Sequence, residues 1–227
     1  RNERLDYISL AAVETLTDLA LVADLARTAA LPSVRAKAVE RVADPKLLGE
    51  IASRDTFRNV FELAIRKLND EAILTDIARA AGAEDARIFA IGKLTDQSVL
   101  VELAKNDKSE VVRSAATDRL TDQRTLCEIA QTDESSWVRF RALHRISDQR
   151  LLADVAIADT DTEKDSVGIS ALKRVTEQGP LAAVARTARL EATRNAATEK
   201  LTDQAGLAEV ARADASATVR ETAIRRV

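Results

Sequence analysis

Few side chains in this chain are equipped for chemistry, and their spacing limits what that chemistry could be. Histidine occurs once, at His144, and cysteine once, at Cys127. A single histidine cannot build a His-based triad or a multi-histidine metal site. Cys127 stands beside an apolar helical stripe, where a small packing residue is expected rather than a nucleophile. A lone cysteine also excludes an intrachain disulfide framework and fits a reducing, cytoplasmic compartment. The acids of Asp159-Thr-Asp-Thr-Glu-Lys-Asp165 alternate as calcium ligands do. They lack the glycine and terminal glutamate of an EF-hand loop, so a solvated turn is expected. The expectation is therefore no catalytic residue, no metal, no cofactor, and a chain that is not an enzyme.

The charges that recur at fixed intervals are more informative. A base closes nearly every second helix of the pattern described below: Arg41, Lys67, Lys93, Arg119, Arg145, Arg174, Lys200 and Arg226. Such a base complements the negative end of a helix, and a row of them could also track phosphates or an acidic protein. A second set, Arg35, Arg87, Arg113, Arg139, Arg194 and Arg220, follows the apolar start of those helices. At about 100° per residue it falls within the buried arc, where a charge needs a partner. The aspartates Asp18, Asp44, Asp70, Asp96, Asp122, Asp148 and Asp203 are the expected partners, giving a structural Asp–Arg ladder between units. Phe61 and Gly168 replace the arginine in two units.

These residues are positioned by a repeat. Heading apolar residues fall at Leu16, Val42, Leu68, Leu94, Leu120, Ile146, Val175 and Leu201, spaced by 26 except for 29 between Ile146 and Val175. The array is expected to be single, spanning 1–227, with a half repeat over 1–15 and Val227 opening a further unit; without any Met, it reads as a fragment of a longer protein. Each unit holds two apolar stripes at helical spacing, such as Leu100, Leu103, Ala104 and then Val112, Ala116, Leu120. Alanine columns (Ala26, Ala52, Ala78 onward, and Ala38, Ala64, Ala90 onward) let helices approach closely. The aspartate two residues after each heading residue suits an N-cap, and Pro45 after Asp44 suits the first helical position. A second acidic column, Asp55, Asp107, Asp133, Asp159 and Asp214, marks the turn between helices. Aromatics make up 3% of the chain and the formal net charge is −3, so neither stacking on bases nor whole-chain polyelectrolyte binding is indicated. No apolar run approaches the roughly 18 residues of a membrane span. An all-α superhelix of paired short helices follows.

The pattern L-T-D-Q-x-x-L-x-E-[IL]-A-x-x-D-x-x-x-x-V-R-x-x-A resembles HEAT-like α-helical repeats, particularly short bacterial kinds related to the leucine-rich repeat variant. The unit of 26 residues is shorter than a typical HEAT unit. The resemblance implies a non-enzymatic interaction scaffold, with second helices lining a concave face. On that face Lys37, Arg66, Lys67, Ile88, Phe89, Lys93, Arg119, Phe140, Arg141, His144, Arg145 and Lys173 form the expected contact surface for a protein partner. The alternative is contact of the basic column with a nucleic-acid duplex backbone. Trp137 is expected in the turn before Val138, half-buried, and no membrane or metal partner is expected.

Overall fold

The computed structural model describes residues 10–162 and 166–227; residues 1–9 of the leading half repeat and 163–165 of the long acidic turn lie outside the described residues. Among the described residues the chain is helical with no strand. After a helical stretch over 10–15, first and second helices alternate. The first helices are α1 (Leu19–Thr28), α3 (Pro45–Arg54), α5 (Glu71–Ala80), α7 (Gln97–Asn106), α9 (Gln123–Thr132), α11 (Gln149–Ala158), α13 (Gln178–Thr187) and α15 (Gln204–Ala213). The second helices are α2 (Pro32–Arg41), α4 (Arg58–Lys67), α6 (Glu84–Lys93), α8 (Glu110–Thr117), α10 (Ser136–Arg145), α12 (Val167–Arg174), α14 (Glu191–Lys200) and α16 (Ala217–Ile224).

Helices of eight to ten residues are marginal alone in water, so packing must stabilise them. Each first helix but one starts on an aspartate whose carboxylate accepts from free backbone N–H groups of the first turn. Asp70, for example, takes Ala72 N at 2.9 Å and Ile73 N at 3.1 Å. The exception, Glu177, makes no such bond, yet α13 forms at full length behind it. The heading residues from Val42 to Leu201 are buried. So are both alanine columns, except Ala12 and Ala211 towards the two ends of the array. An added methylene there would have nowhere to go, which is why alanine is kept.

The chain divides into two compact units, Arg1–Arg119 and Leu120–Val227, and the boundary coincides with a repeat boundary. In the first unit the second helices α2, α4, α6 and α8 pack on one another in order and form the more crowded layer. In the second unit α9, α11 and α13 crowd together over the first steps, while α10, α12 and α14 pack more loosely; α14 and α16 close up again. The loosening accompanies the three-residue insertion after Asp159 and the Gly168 substitution.

Candidate interaction surface

The recurring charges hold the repeats together. Arg35 donates through Nε to Asp55 Oδ2 at 2.6 Å and through Nη2 to Asp55 Oδ1 at 3.1 Å, while Nη1 donates to the Ala29 carbonyl at 2.7 Å. Arg87 lies 3.5 Å from Asp107. Arg194 grips Asp214 as Arg35 grips Asp55. Arg35 and Arg194 thus tie the end of their own first helix to the first helix of the next repeat. The ladder expected with Asp18, Asp44, Asp70, Asp96, Asp122, Asp148 and Asp203 is corrected accordingly: those aspartates cap first helices, and the turn acids Asp55, Asp107 and Asp214 pair with the arginines. The reason is geometric. The capping carboxylate points along its own helix, at the end away from the arginine, whereas the turn acid lies at the same end as the start of the second helix. The turn acid also spans the turn by accepting from the backbone two residues on, as in Ser109 N to Asp107 Oδ1 at 2.8 Å. Burial alone would raise the Asp214 carboxyl, but hydrogen bonds from Arg194 and Ser216 N outweigh it and hold the pKa below its ordinary value.

The sequence contains a signal for this pairing. Arginine and acid are separated by 20 residues: 35 and 55, 87 and 107, 194 and 214. Where Phe61 and Gly168 replace the arginine, the positions 20 residues later are Ala81 and Ala188, both buried. Base and acid are lost together, which avoids an unpaired buried charge. The ladder also fails where the insertion falls. Asp159 Oδ2 accepts from Gly168 N at 3.0 Å, and a Cβ at Gly168 would lie 2.3 Å from Asp159 Cβ. Arg139 donates to the carbonyls of Asp133 and Glu134 and pairs with no carboxylate among the described residues.

The closing bases are bound as well, and to the C-terminal end of the preceding second helix rather than their own. Lys67 Nζ donates to Val39 O at 2.9 Å, Lys93 to Arg66 O at 2.9 Å, and Arg119 to Leu94 O at 3.0 Å. In the second unit Arg145 donates to Leu120 O at 2.9 Å and Arg174 to the carbonyls of Leu143 and Ile146. Lys200 donates to Leu172 O at 2.7 Å and Val175 O at 2.7 Å. They satisfy carbonyls that a helix C-terminus leaves open. Desolvation pushes the Lys67 and Lys200 ammonium groups below the ordinary lysine value. The glutamine of the LTDQ motif, to which the sequence reading gave no role, is a third tie. Gln123 Nε2 donates to Arg145 O at 3.2 Å and its Oε1 accepts from Ser147 N at 2.8 Å. Glu71 accepts from Thr95 N and Asp96 N in the same way, and those two bonds depress its carboxyl.

The remaining expected contact residues are divided between the two units. In the first unit Lys37 is held by Glu14 at 2.6 Å and Glu40 at 2.9 Å, and Arg66 pairs with Glu62. Phe89 is half-buried, its ring 6.2 Å from that of the buried Phe61, with the Arg58 guanidinium 5.1 Å above it; Ile88 is half-buried beside it. In the second unit Phe140 and Ile169 are half-buried, while Arg141, His144 and Lys173 are exposed. Trp137 belongs to the first turn of α10 rather than the preceding turn, and it is 46% exposed. Leu31 and Phe57 are further exposed apolar groups in the first unit that the sequence did not single out.

A cleft of about 420 Å³ lies between α1 and α3, lined by Arg27, Arg35, Glu50 and Asp55, and a similar one of about 360 Å³ sits at Arg186, Glu209 and Asp214. Both follow the repeat, with Arg27–Glu50 and Arg186–Glu209 pairs at matching places. Cys127 is buried, and its thiol is pushed up to about 11, first by desolvation and then by Asp154, Glu128 and Asp148. It faces the Leu151 carbonyl at 3.6 Å as a weak donor. Among the described residues no group of three or more His, Cys, Asp or Glu is placed to hold a metal ion, and no helix is long and apolar enough to cross a membrane. No family model, no curated protein and no solved structure matches this chain.

Proposed function

We propose that this helical-repeat chain is a non-enzymatic scaffold, HEAT-like in its repeat, that binds a protein partner along its layer of second helices. The observation that carries this reading is the contrast between frame and surface. The positions facing neighbouring repeats keep to Val, Ala, Arg and a closing base in most units, Phe61 and Gly168 being exceptions at the arginine. The outward columns change at every step: Lys37, Leu63, Phe89, Ala115 in one, and Glu40, Arg66, Gly92, Asp118 in another. A regular frame with an irregular surface suits an irregular partner, as a folded or extended protein is. A duplex backbone repeats its charge regularly. The bases that repeat to match it direct their hydrogen bonds to carbonyls at the end of the preceding second helix. The HEAT-like relation is supported by the helix pair and by the arginine–aspartate tie between repeats.

The test is site-specific photo-cross-linking in cells of origin, with the photoreactive residue placed at Arg66 or Arg141 on second helices and at Lys46 or Arg150 on first helices. Protein adducts from the second-helix positions, resistant to nuclease, are expected. Adducts that nuclease removes, or equal adducts from both layers, would overturn the reading.

A further inference from the structure

Arg54 departs from its repeat position, which holds Thr, Ala or Asn in every other unit. It stands in the last turn of α3, as Arg27 does in the last turn of α1. Glu50 accepts from both: Arg27 Nε at 3.2 Å on Oε2, and Arg54 Nη1 at 3.0 Å on Oε1. One carboxylate therefore serves two guanidinium groups, each of which spends a single nitrogen on it. Nη1 and Nη2 of Arg27, with Nε and Nη2 of Arg54, meet no acceptor among the described residues. Both side chains line the cleft of about 420 Å³, whose walls also include the buried Ala26 and Ile51. The adjoining Arg35 is spent, with Nε and Nη2 on Asp55 and Nη1 on the Ala29 carbonyl. Three bases against two acids leave the cleft one positive charge.

The equivalent Arg79–Glu102 pair shows the closed alternative. Arg79 meets both oxygens of Glu102, through Nε at 3.1 Å and through Nη2, and Asn106 stands where a second arginine would share them. An exposed ion pair adds little stability, so the extra base at Arg54 is not explained by folding.

We propose that the α1–α3 cleft binds a small ligand bearing an oxyanion, carboxylate or phosphate, which Arg27 and Arg54 hold between them. The planar guanidinium presents paired donors matched to the oxygens of either group. Glu50 fixes both guanidinium groups beforehand, which lowers the conformational cost of binding. The single excess charge suits one such head group, and the volume suits a small organic body against Ala26 and Ile51.

The guanidinium Nε–H resonances of the intact, isotope-labelled chain report on the site. They are followed while inorganic phosphate, succinate and sodium chloride are titrated separately at matched ionic strength. Saturable shifts of Arg27 and Arg54 with phosphate or succinate, absent with chloride, are expected, and the tighter of the two identifies the head group. Arg79 should not move in any titration. Arg54→Gln should weaken binding about tenfold, and Arg79→Gln should leave it unchanged, with melting curves confirming that both variants fold. Equal weakening by the two variants would reveal a diffuse charge effect and overturn the site. Shifts no larger than those from chloride at millimolar concentration would also overturn it, while cross-linking from the second-helix layer judges the scaffold reading separately.

Discussion

Arg194 and Asp214, 20 residues apart, form a two-point pair: Nε meets Oδ2 at 2.8 Å and Nη2 meets Oδ1 at 3.3 Å. The aspartate side chain is 3% exposed and the arginine 14%. The third point of the guanidinium, Nη1, donates to the Ala188 carbonyl at 3.0 Å. One side chain therefore joins two successive repeats and closes the turn within its own.

Arg194→Ala should destabilise the chain by about 3 kcal/mol, because it leaves Asp214 buried without its base. The double variant Arg194→Phe with Asp214→Ala copies the pair that the chain itself uses at Phe61 and Ala81. It should recover most of the loss. Urea midpoints of the wild type and both variants check this, and a double variant no better than Arg194→Ala would refute the pairing as the cause.

Acid should erase the same contribution. The Asp214 carboxyl is held below its ordinary value of 3.8 in the fold, so its stabilisation is fully present above that value and is lost as pH falls through the lower, folded value. The stability gap between wild type and Arg194→Phe/Asp214→Ala should change little from pH 7 to about pH 5, then move in the variant's favour as pH falls towards 2. Chemical denaturation at stepped pH values measures it.

The fold was legible in the sequence wherever one residue type recurs in one place. The heading residues, the alanine columns and the capping aspartates each state their role by period and chemistry. The arginine partner was harder, because two acidic columns share the same period and a repeat fixes spacing without fixing which column lies nearby. The signal that separates them is the paired loss at Phe61/Ala81 and Gly168/Ala188. The contact surface was least legible. A base at a helix end reads equally well as a ligand group or as a tie to the preceding repeat, and only the carbonyls it reaches distinguish the two. Gln123 illustrates the same limit, since its amide serves a segment 24 residues away that no local pattern indicates.

Lys200→Met should cost about 1–2 kcal/mol, the effect of losing a charged donor from partly buried carbonyls. Lys200→Arg should cost much less, since Arg174 performs the same task one repeat earlier. Lys46→Met on an exposed first-helix position should fall within about 0.5 kcal/mol of wild type. Hydrogen exchange should show the Lys200→Met loss concentrated at the C-terminal turn of α12.

Gly168→Ala should destabilise by about 1–3 kcal/mol, because the new methyl group meets the Asp159 side chain. Adding Asp159→Ala should relieve most of that cost by removing the carboxylate it strikes. Thermal melts of the single and double variants decide it, and equal melting temperatures for Gly168→Ala and wild type would show that the close approach is absent in solution.

Cys127 should be nearly inert in the native chain. A thiol at about 11 rather than 9.0 leaves about one hundredth as much thiolate at pH 8. Labelling with a thiol-specific disulfide reagent should therefore be at least about a hundredfold slower in buffer than in urea, where burial ends. Comparable rates would place the thiol in the open.

The ties between repeats share a direction in time. Helix ends wait for a base 25 to 31 residues further along, as Leu94 waits for Arg119, Leu172 for Lys200 and Leu143 for Arg174. Asp-paired arginines and the LTDQ glutamines likewise look forward to groups 20 to 24 residues on. During synthesis, a repeat leaving the ribosome is unfinished until its successor emerges. The nascent chain therefore always carries one incomplete repeat at its leading edge of folding, with open carbonyls and an unmatched guanidinium, and structure advances along it one repeat behind translation.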